Sequence, residues 1–480
     1  MAFIRKIKTA SGATAIQIAH KRFGKIIRIE HIGSGHTQTE IDTLISLAKK
    51  QIQGGQQALF PERNESLQIN LKKSYSGLLY RILKEQYHKI GFYQLNDDEL
   101  MYLCIARIVE PTSKIDSLRV LSDLGINGLN KDKLYRCLKR VIAQDYRSNI
   151  SKLCFSWANS QGIALVLYDV TTLYFEIQKE DNYRKPGLSK ERRLEPQIIV
   201  GLLTNQDGFP LGLHSFEGNV AETNTLLPML EQFKVQHDIN TITVVADAAM
   251  LSTKNLQELS NAGYRYIVGS RMYKIPYEIA EYQKTQELTD NQIIVSKQDS
   301  YRVIYQYRTK RAALDIRNIK KQLLKAELVI NGKIPAKKTV FVEIKTKEKK
   351  LNQKLIDKAY ALAGIKGYVT SLDIPDLQII SIYHQLFQVE ASFRMAKSDL
   401  KARPIYHRKR DSIEAHLTIV FAAMAISKCI ETQAGISIRK FIQLLRPIRS
   451  GIISINSHEH IAEGEISKNI QKLIDKLSGH

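Results

Sequence analysis

Two short runs rich in Val, Ile and Leu, Ile163–Tyr168 and Thr241–Ala246, are each followed at once by an aspartate, Asp169 and Asp247. Apolar runs of this length without alternation read as strands covered on both faces, so the chain is expected to build a layered α/β core around them. A carboxylate at the end of such a strand is costly unless a ligand or hydrogen bonds offset its desolvation. The C-terminal edge of strands in an α/β sheet is also where ligands bind. One aspartate there is more often a turn former or a helix cap. Two at matching positions leave the capping and the ligand-holding readings level.

Between the two runs, Gln197–Thr204 and Pro210–Phe216 flank Asn205-Gln206-Asp207-Gly208, which predicts an antiparallel hairpin. A helix over Thr223–Phe233 then leads back to the second aspartate strand. Further on, the spacing of Ile382, Leu386, Val389 and Phe393 predicts one helix over Ser381–Lys397 with a single apolar face. Tyr383, Glu390 and Lys397 recur every seven residues, and seven residues return a helix to within about 20° of its starting direction. They therefore share a stripe, with Arg394 one turn beyond Glu390. A surface Glu–Arg pair is the alternative reading of those two.

The rest of the chain divides around this core. Residues 1–56, with β-branched runs at Ala15–Ile18 and Lys25–Ile32 and a helical pattern at Glu40–Ile52, are expected to form a small α/β region. Residues 57–158 read as a helical region. Asn96 and Glu99 form its candidate capping box, and Pro111-Thr112-Ser113 separates two of its helices. Arg107, Arg119, Arg136, Lys139 and Arg140 decorate these helices, either as DNA contacts or as a solvated basic face. Residues 159–270 are the first part of the core and 271–369 a mainly β insertion around a basic helical segment, Lys310–Ile330. Residues 370–432 are the second part of the core, with the Glu390 helix, and 433–480 a basic, weakly patterned tail.

Lys and Arg outnumber Asp and Glu by 71 to 48, a net charge of +23. Such an excess calls for a polyanion, and nucleic acid is the expected partner. A membrane is not expected: the apolar stretch Leu417–Ile426 is about half of the roughly 20 residues a spanning helix needs, and the first residues lack the apolar region of a signal peptide. Cys104, Cys137, Cys154 and Cys429 are too widely spaced for a zinc motif and read as buried hydrophobes.

Taken together these residues resemble the DDE-type bacterial insertion-sequence transposases, in particular the group marked by a Tyr-x2-Arg-x3-Glu-x6-Lys signature helix. The corresponding segment is Tyr383-x2-Leu386-x3-Glu390-x6-Lys397, with Leu386 where the group has Arg and Arg394 placed to substitute for it. The run Phe393-Arg394-x2-Lys397-Ser398-x-Leu400-x2-Arg403-Pro404-Ile405-Tyr406-His407, followed by Glu414-Ala415-His416, is similar to one branch of the group. The resemblance covers roughly residues 160–430.

It implies an RNase H-like catalytic core of α/β class interrupted by the insertion, preceded by an N-terminal α+β and helical DNA-binding region. Asp169, Asp247 and Glu390 would be the catalytic residues and would hold two Mg²⁺ ions, with Mn²⁺ as a substitute. Tyr383, Arg394 and Lys397 would contact DNA. The implied activity is binding of the insertion-sequence ends, DNA strand cleavage and strand transfer into target DNA, by a homodimer on double-stranded DNA at the nucleoid of the cytoplasm. The alternatives are an RNase H-like structure-directed DNA nuclease and a transposase-derived DNA-binding regulator without cleavage activity. The near-complete signature helix argues against the first, and the presence of all three acids against the second.

Overall fold

The β-branched runs near the N-terminus form an antiparallel sheet of β1 (Ala2–Lys8), β2 (Thr14–Arg22) and β3 (Lys25–Gly35), covered by α1 (Gln38–Gln53). This is seen in a computed structural model that describes residues 1–53, 69–159, 165–176, 180–187, 195–239, 241–248, 253–335, 339–345, 348–455 and 458–478. The boundary expected at residues 56 and 57 and the strand start expected at Ile163 lie outside the described residues. Ile16, Ile18 and Ala48 form the centre of this first unit. A capping box opens α1: Thr37 Oγ1 accepts from the Glu40 N–H, while Glu40 Oε2 accepts from the N–H groups of Thr37 and His36. Contacts divide the chain into this unit, residues 1–70 with 454–458, and a second of residues 71–453 with 459–480.

The second unit begins with β4 (Ile69–Tyr75) and five helices, α2 (Gly77–Lys89), α3 (Asp98–Val109), α4 (Ser117–Asp123), α5 (Lys131–Ala143) and α6 (Tyr146–Asn159). The capping box expected at Asn96 is shifted by one residue. Asn96 has a left-handed φ of 49°, and Asp97 caps α3 by accepting from the Leu100 N–H at 3.0 Å. Tertiary partners decide this boundary. The Asp97 carboxylate, 1% exposed, also accepts from Arg140 at 2.8 and 2.9 Å and from the Tyr146 hydroxyl at 3.1 Å.

The core strands follow: β5 (Leu165–Tyr174), β6 (Gln197–Thr204), β7 (Pro210–Glu217), then α7 (Leu226–His237), β8 (Thr243–Ala246), α8 (Thr253–Asn261) and β9 (Arg265–Ser270). All eight residues of β6 are buried, as its apolar stretch Ile198–Leu203 leads one to expect. Next come α9 (Tyr277–Thr285), β10 (Ile293–Lys297), β11 (Arg302–Tyr307), α10 (Thr309–Ile330), β12 (Val342–Lys345), β13 (Glu348–Leu351), α11 (Gln353–Ala361) and β14 (Ile365–Thr370). The segment 271–369 is therefore not mainly β. Its helices span 9, 22 and 9 residues among those described, against strands of 4 to 6, and β10, β11 and β14 extend the main sheet. Strand-like patterning in a sequence does not say which sheet a strand joins.

That sheet has eight strands in the order β10-β11-β14-β9-β8-β5-β6-β7. β5, β8 and β9 run parallel, and the other neighbours are antiparallel. The helix expected over Ser381–Lys397 is broken at Gln385 and Leu386 into α12 (Asp376–His384) and α13 (Phe387–Ser398).

Then α14 (Arg410–Ala434) crosses the unit with every residue from Ala415 to Ile430 buried. By length and composition it could cross a membrane, more than its short apolar run suggested, but 94% of that stretch is covered by protein. It packs on α2, α3, α5, α6, α13 and β7. The expected tail also folds, as α15 (Ile438–Leu445), β15 (Ser450–Ile455), β16 (His458–Ala462) and α16 (Lys468–Ser478). Ile438, Phe441, Ile442 and Leu445 make a buried helical face too short to stand out as a pattern. All four cysteines are free and buried, as expected.

Asp97→Ala should lower the unfolding free energy by about 2–3 kcal/mol in urea denaturation at neutral pH. It removes a cap and one partner of an ion pair whose Arg140 retains access to water. Burial pushes the Asp97 carboxyl up, but Arg140, the Leu100 N–H and Tyr146 together hold it below its ordinary 3.8. Its contribution is therefore full above that value and lost as pH falls below it, so the gap between wild type and variant should narrow as pH falls below 3.8.

Candidate active site

β5 and β8 pair in parallel from Leu165 opposite Thr243 to Tyr168 opposite Ala246. The next residues are Asp169 and Asp247, so register alone sets the two carboxylates on neighbouring strands at the same level. β5 does not end there. It runs on to Tyr174 paired with β6, which puts Asp169 inside a strand rather than after one. The sheet's connectivity also reverses at this point: the chain leaves β5 through β6 and β7, then returns on the other side as β8 and β9. Crevices at such reversals are where α/β sheets take ligands. Asp169 is half-buried and Asp247 exposed, so desolvation weighs less on them than strand position suggested.

The third acid is delivered by the β6–β7 turn. Asn205 Oδ1 accepts from the N–H groups of Asp207 and Phe209, closing a turn in which Gly208 has a φ of +79°. A Cβ at Gly208 would stand 2.8 Å from the Gln388 carbonyl oxygen, and Ser392 Oγ donates to the Gly208 carbonyl at 2.7 Å. Glycine thus lets the turn press directly on α13. Glu390 lies in the first turn of that helix, where the dipole favours a negative charge.

Asp169, Asp247 and Glu390 line one open cleft of about 460 Å³, with Leu386, Arg394, Lys397 and Arg403 among its other walls. All three expected acids and two of the three expected DNA contacts are therefore brought together. Leu386, where the signature has Arg, presents an apolar wall, while Arg394 is exposed beside it. Among the described residues no group of three or more His, Cys, Asp or Glu is gathered closely enough to hold a metal ion; the acids share a cleft without converging. Their chemistry, three hard oxygen donors, is nonetheless what Mg²⁺ takes, and basic side chains on the rim suit a phosphate.

Tyr383 has a different place. It is buried on α12 and donates its hydroxyl to Asp247 Oδ1 at 3.2 Å, beside a second bond to the same oxygen from the Ala248 N–H at 2.7 Å. Burial, then the Asp247 charge, pushes the phenol well above its ordinary range, so it stays a donor. The break between α12 and α13 is what turns Tyr383 out of the stripe shared by Glu390 and Lys397. Glu414 and His416 are also away from the acids. Glu414 accepts from Tyr183 at 2.7 Å and from Ser215, and pairs with Arg147 at 2.6 Å, tying α6 and β7 to α14.

Two neighbours had no sequence signal. Lys366, on β14, sits 4.4 Å over the Tyr383 ring; burial lowers its pKa and Arg311 lowers it further, while Asp247 and Glu390 act to raise it. A lysine on a strand is ordinarily solvated, and only the return of β14 to the sheet brings this one to the acids. Gly269, on β9, leaves room for Tyr383: a Cβ there would stand 2.6 Å from the hydroxyl.

Residues 160–426 match the family model described as the transposase DDE domain. None of the curated proteins matches the chain. Among solved structures, a piggyBac transposase synaptic complex with hairpin DNA, determined by cryo-EM, is similar at a TM-score of 0.41 and 11% identity, covering 78% of this chain and 79% of that one. Because the family match spans more than half of the 480 residues, the chain belongs to the DDE-type transposases.

Proposed function

We propose that this transposase binds the double-stranded ends of its own insertion sequence, cuts a strand there and joins it to target DNA, using Asp169, Asp247 and Glu390 as the catalytic residues. The observation that carries the proposal is that two adjacent parallel strands and one helix supply three carboxylates to a single cleft with Arg394, Lys397 and Arg403 on its walls. The meander β5-β6-β7 followed by the parallel strands β8 and β9 supports an RNase H-like reading of the core. The net charge of +23 supports DNA as the partner, and the helical region α2–α6 is proposed to share in holding it. Two ends must be handled together, which makes a homodimer on DNA, at the bacterial nucleoid, the expected working form.

The three carboxylates would hold a pair of Mg²⁺ ions, or Mn²⁺ in their place. The chemistry such ions would supply there is activation of a water or a 3′-hydroxyl and stabilisation of the leaving oxygen. Arg394 and Lys397 hold the phosphodiester backbone against the cleft, Arg through its planar fork and Lys as a point charge. Tyr383 fixes the orientation of the Asp247 carboxylate rather than touching DNA. Lys366 offsets repulsion between Asp247 and Glu390.

The test is a cleavage and joining assay with purified protein, Mg²⁺ or Mn²⁺ and a plasmid carrying the gene's own flanking sequences. Asp169→Asn, Asp247→Asn and Glu390→Gln should each lower cleavage by roughly a thousandfold or more, while DNA affinity without metal stays the same or rises. Binding without cutting by the wild type would instead identify a regulator, and cutting that ignores the flanks a structure-directed nuclease. Tyr383→Phe keeps the ring packed on Tyr368 and removes only the bond to Asp247. It should raise the Mg²⁺ concentration for half-maximal cleavage by about tenfold with an unchanged melting temperature; an unchanged metal requirement would refute the orienting role.

A further inference from the structure

Next to the carboxylate cleft, and sharing Arg403 with it, lies a second pocket of about 410 Å³. Its walls include Arg107 from α3, Lys114 from the connection between α3 and α4, Lys401 and Arg403 from the connection between α13 and α14, and His416 from α14. Among the described residues, no aspartate or glutamate lines it. Arg107, read from sequence as part of a basic face, is turned inward instead: it is 7% exposed, and Lys114 is 6% exposed.

Neither cation has a counter-charge. Arg107 makes no ion pair or hydrogen bond among the described residues. Lys114 Nζ is 3.4 Å from His416 Nδ1, whose Nε2 is 3.2 Å from the Ala402 carbonyl. With the ring proton on Nε2, donated to that carbonyl, Nδ1 is the neutral acceptor for the lysine. The acids nearest along the chain are engaged elsewhere, Glu110 with Arg119 and Arg446, and Asp116 with Arg119.

A buried cation that has lost its hydration and gained no counter-charge is among the least favourable arrangements in a protein. Burial and the neighbouring Arg107 hold the Lys114 ammonium well below its ordinary pKa, so an anion entering beside Arg107 would be met by the guanidinium and would favour the charged lysine. A guanidinium fork beside an ammonium matches the oxygens of a phosphate. The shared Arg403 sets the pocket beside the cleft where the proposed chemistry takes place.

We infer that this pocket is a phosphodiester subsite in which Arg107 and Lys114 receive one backbone phosphate of the DNA strand that passes through the carboxylate cleft, with Arg403 between the two. The inference rests on the DNA-cleaving reading above. It gives that strand a second fixed point beside the acids, so that its path is set on α3 and α14 as well as on α13.

The experiment is fluorescence anisotropy of the full chain in EDTA, with a duplex carrying the flanking end sequence, over a range of salt. Wild type is compared with Arg107→Gln and with Lys401→Gln, the latter at the exposed rim of the same pocket. A series of duplexes, each with one phosphate replaced by an uncharged methylphosphonate, locates the contact. Arg107→Gln should bind about tenfold more weakly and lower the slope of log affinity against log salt by about 0.9. Its melting temperature without DNA should be unchanged or higher, since an unpaired buried charge is removed. One methylphosphonate near the cleavage position should weaken wild type and leave Arg107→Gln unaffected. If Arg107→Gln does not fold, Lys401→Gln should show the same selective loss at that position. An unchanged slope with a lowered melting temperature would make Arg107 an internal structural cation and overturn the subsite. Wild type that binds DNA with no position sensitive to either variant would overturn the subsite alone, and wild type that binds no DNA would overturn the functional reading with it.

Discussion

The parallel register between β5 and β8 is the constraint from which the rest of the site follows. Four paired residues end with Tyr168 opposite Ala246, and the next step along each strand is an aspartate. A slip of one residue would send every side chain of the strand to the opposite face and part the two acids. Burial fixes that register, because Leu165–Tyr168 and Val244–Ala246 lie within the core. The apolar runs are thus a positioning device for the carboxylates that follow them.

Charge is distributed around this point in layers. The three acids line the cleft together with Arg394, Lys397 and Arg403, and Lys366 feels the charges of Asp247 and Glu390. Three carboxylates near one another repel, and among the described residues these share the cleft without converging. Tyr383 limits the freedom of one acid by bonding Asp247 Oδ1, and the small Gly269 makes space for it. The neighbouring pocket also has positive walls, and among the described residues no acid lines it beside Arg107 and Lys114.

The helical and sheet parts of the second unit are joined by α14. It is apolar enough to resemble a membrane helix because it is covered on all sides by protein. Its few polar residues make the connections. Glu414 links it to α6 and β7, and His416 reaches both Lys114 and the Ala402 carbonyl. The motif residues at 414 and 416 therefore belong to the frame that holds the cleft rather than to its chemistry.

Much of the core was legible from residues because its signals are local. The two aspartate strands, the hairpin around Asn205–Gly208 and the helix carrying Glu390 follow from periodicity and turn chemistry, which each segment carries by itself. The errors share a physical origin. Asp97 displaced Asn96 as a cap because of Arg140 and Tyr146, distant in sequence. The presumed β insertion became an extension of the main sheet through pairing with β9, and one predicted helix broke at Gln385 and Leu386. By itself, the sequence determined that two buried apolar runs each lead directly into an aspartate, that a glutamate and two cations share a helix face, and that the chain is strongly basic. Only tertiary structure decided that Tyr383 serves Asp247, that Lys366 joins the acids and that Arg107 is buried with no ion-pair partner among the described residues. Those outcomes depend on non-local pairing and burial, which no single segment encodes.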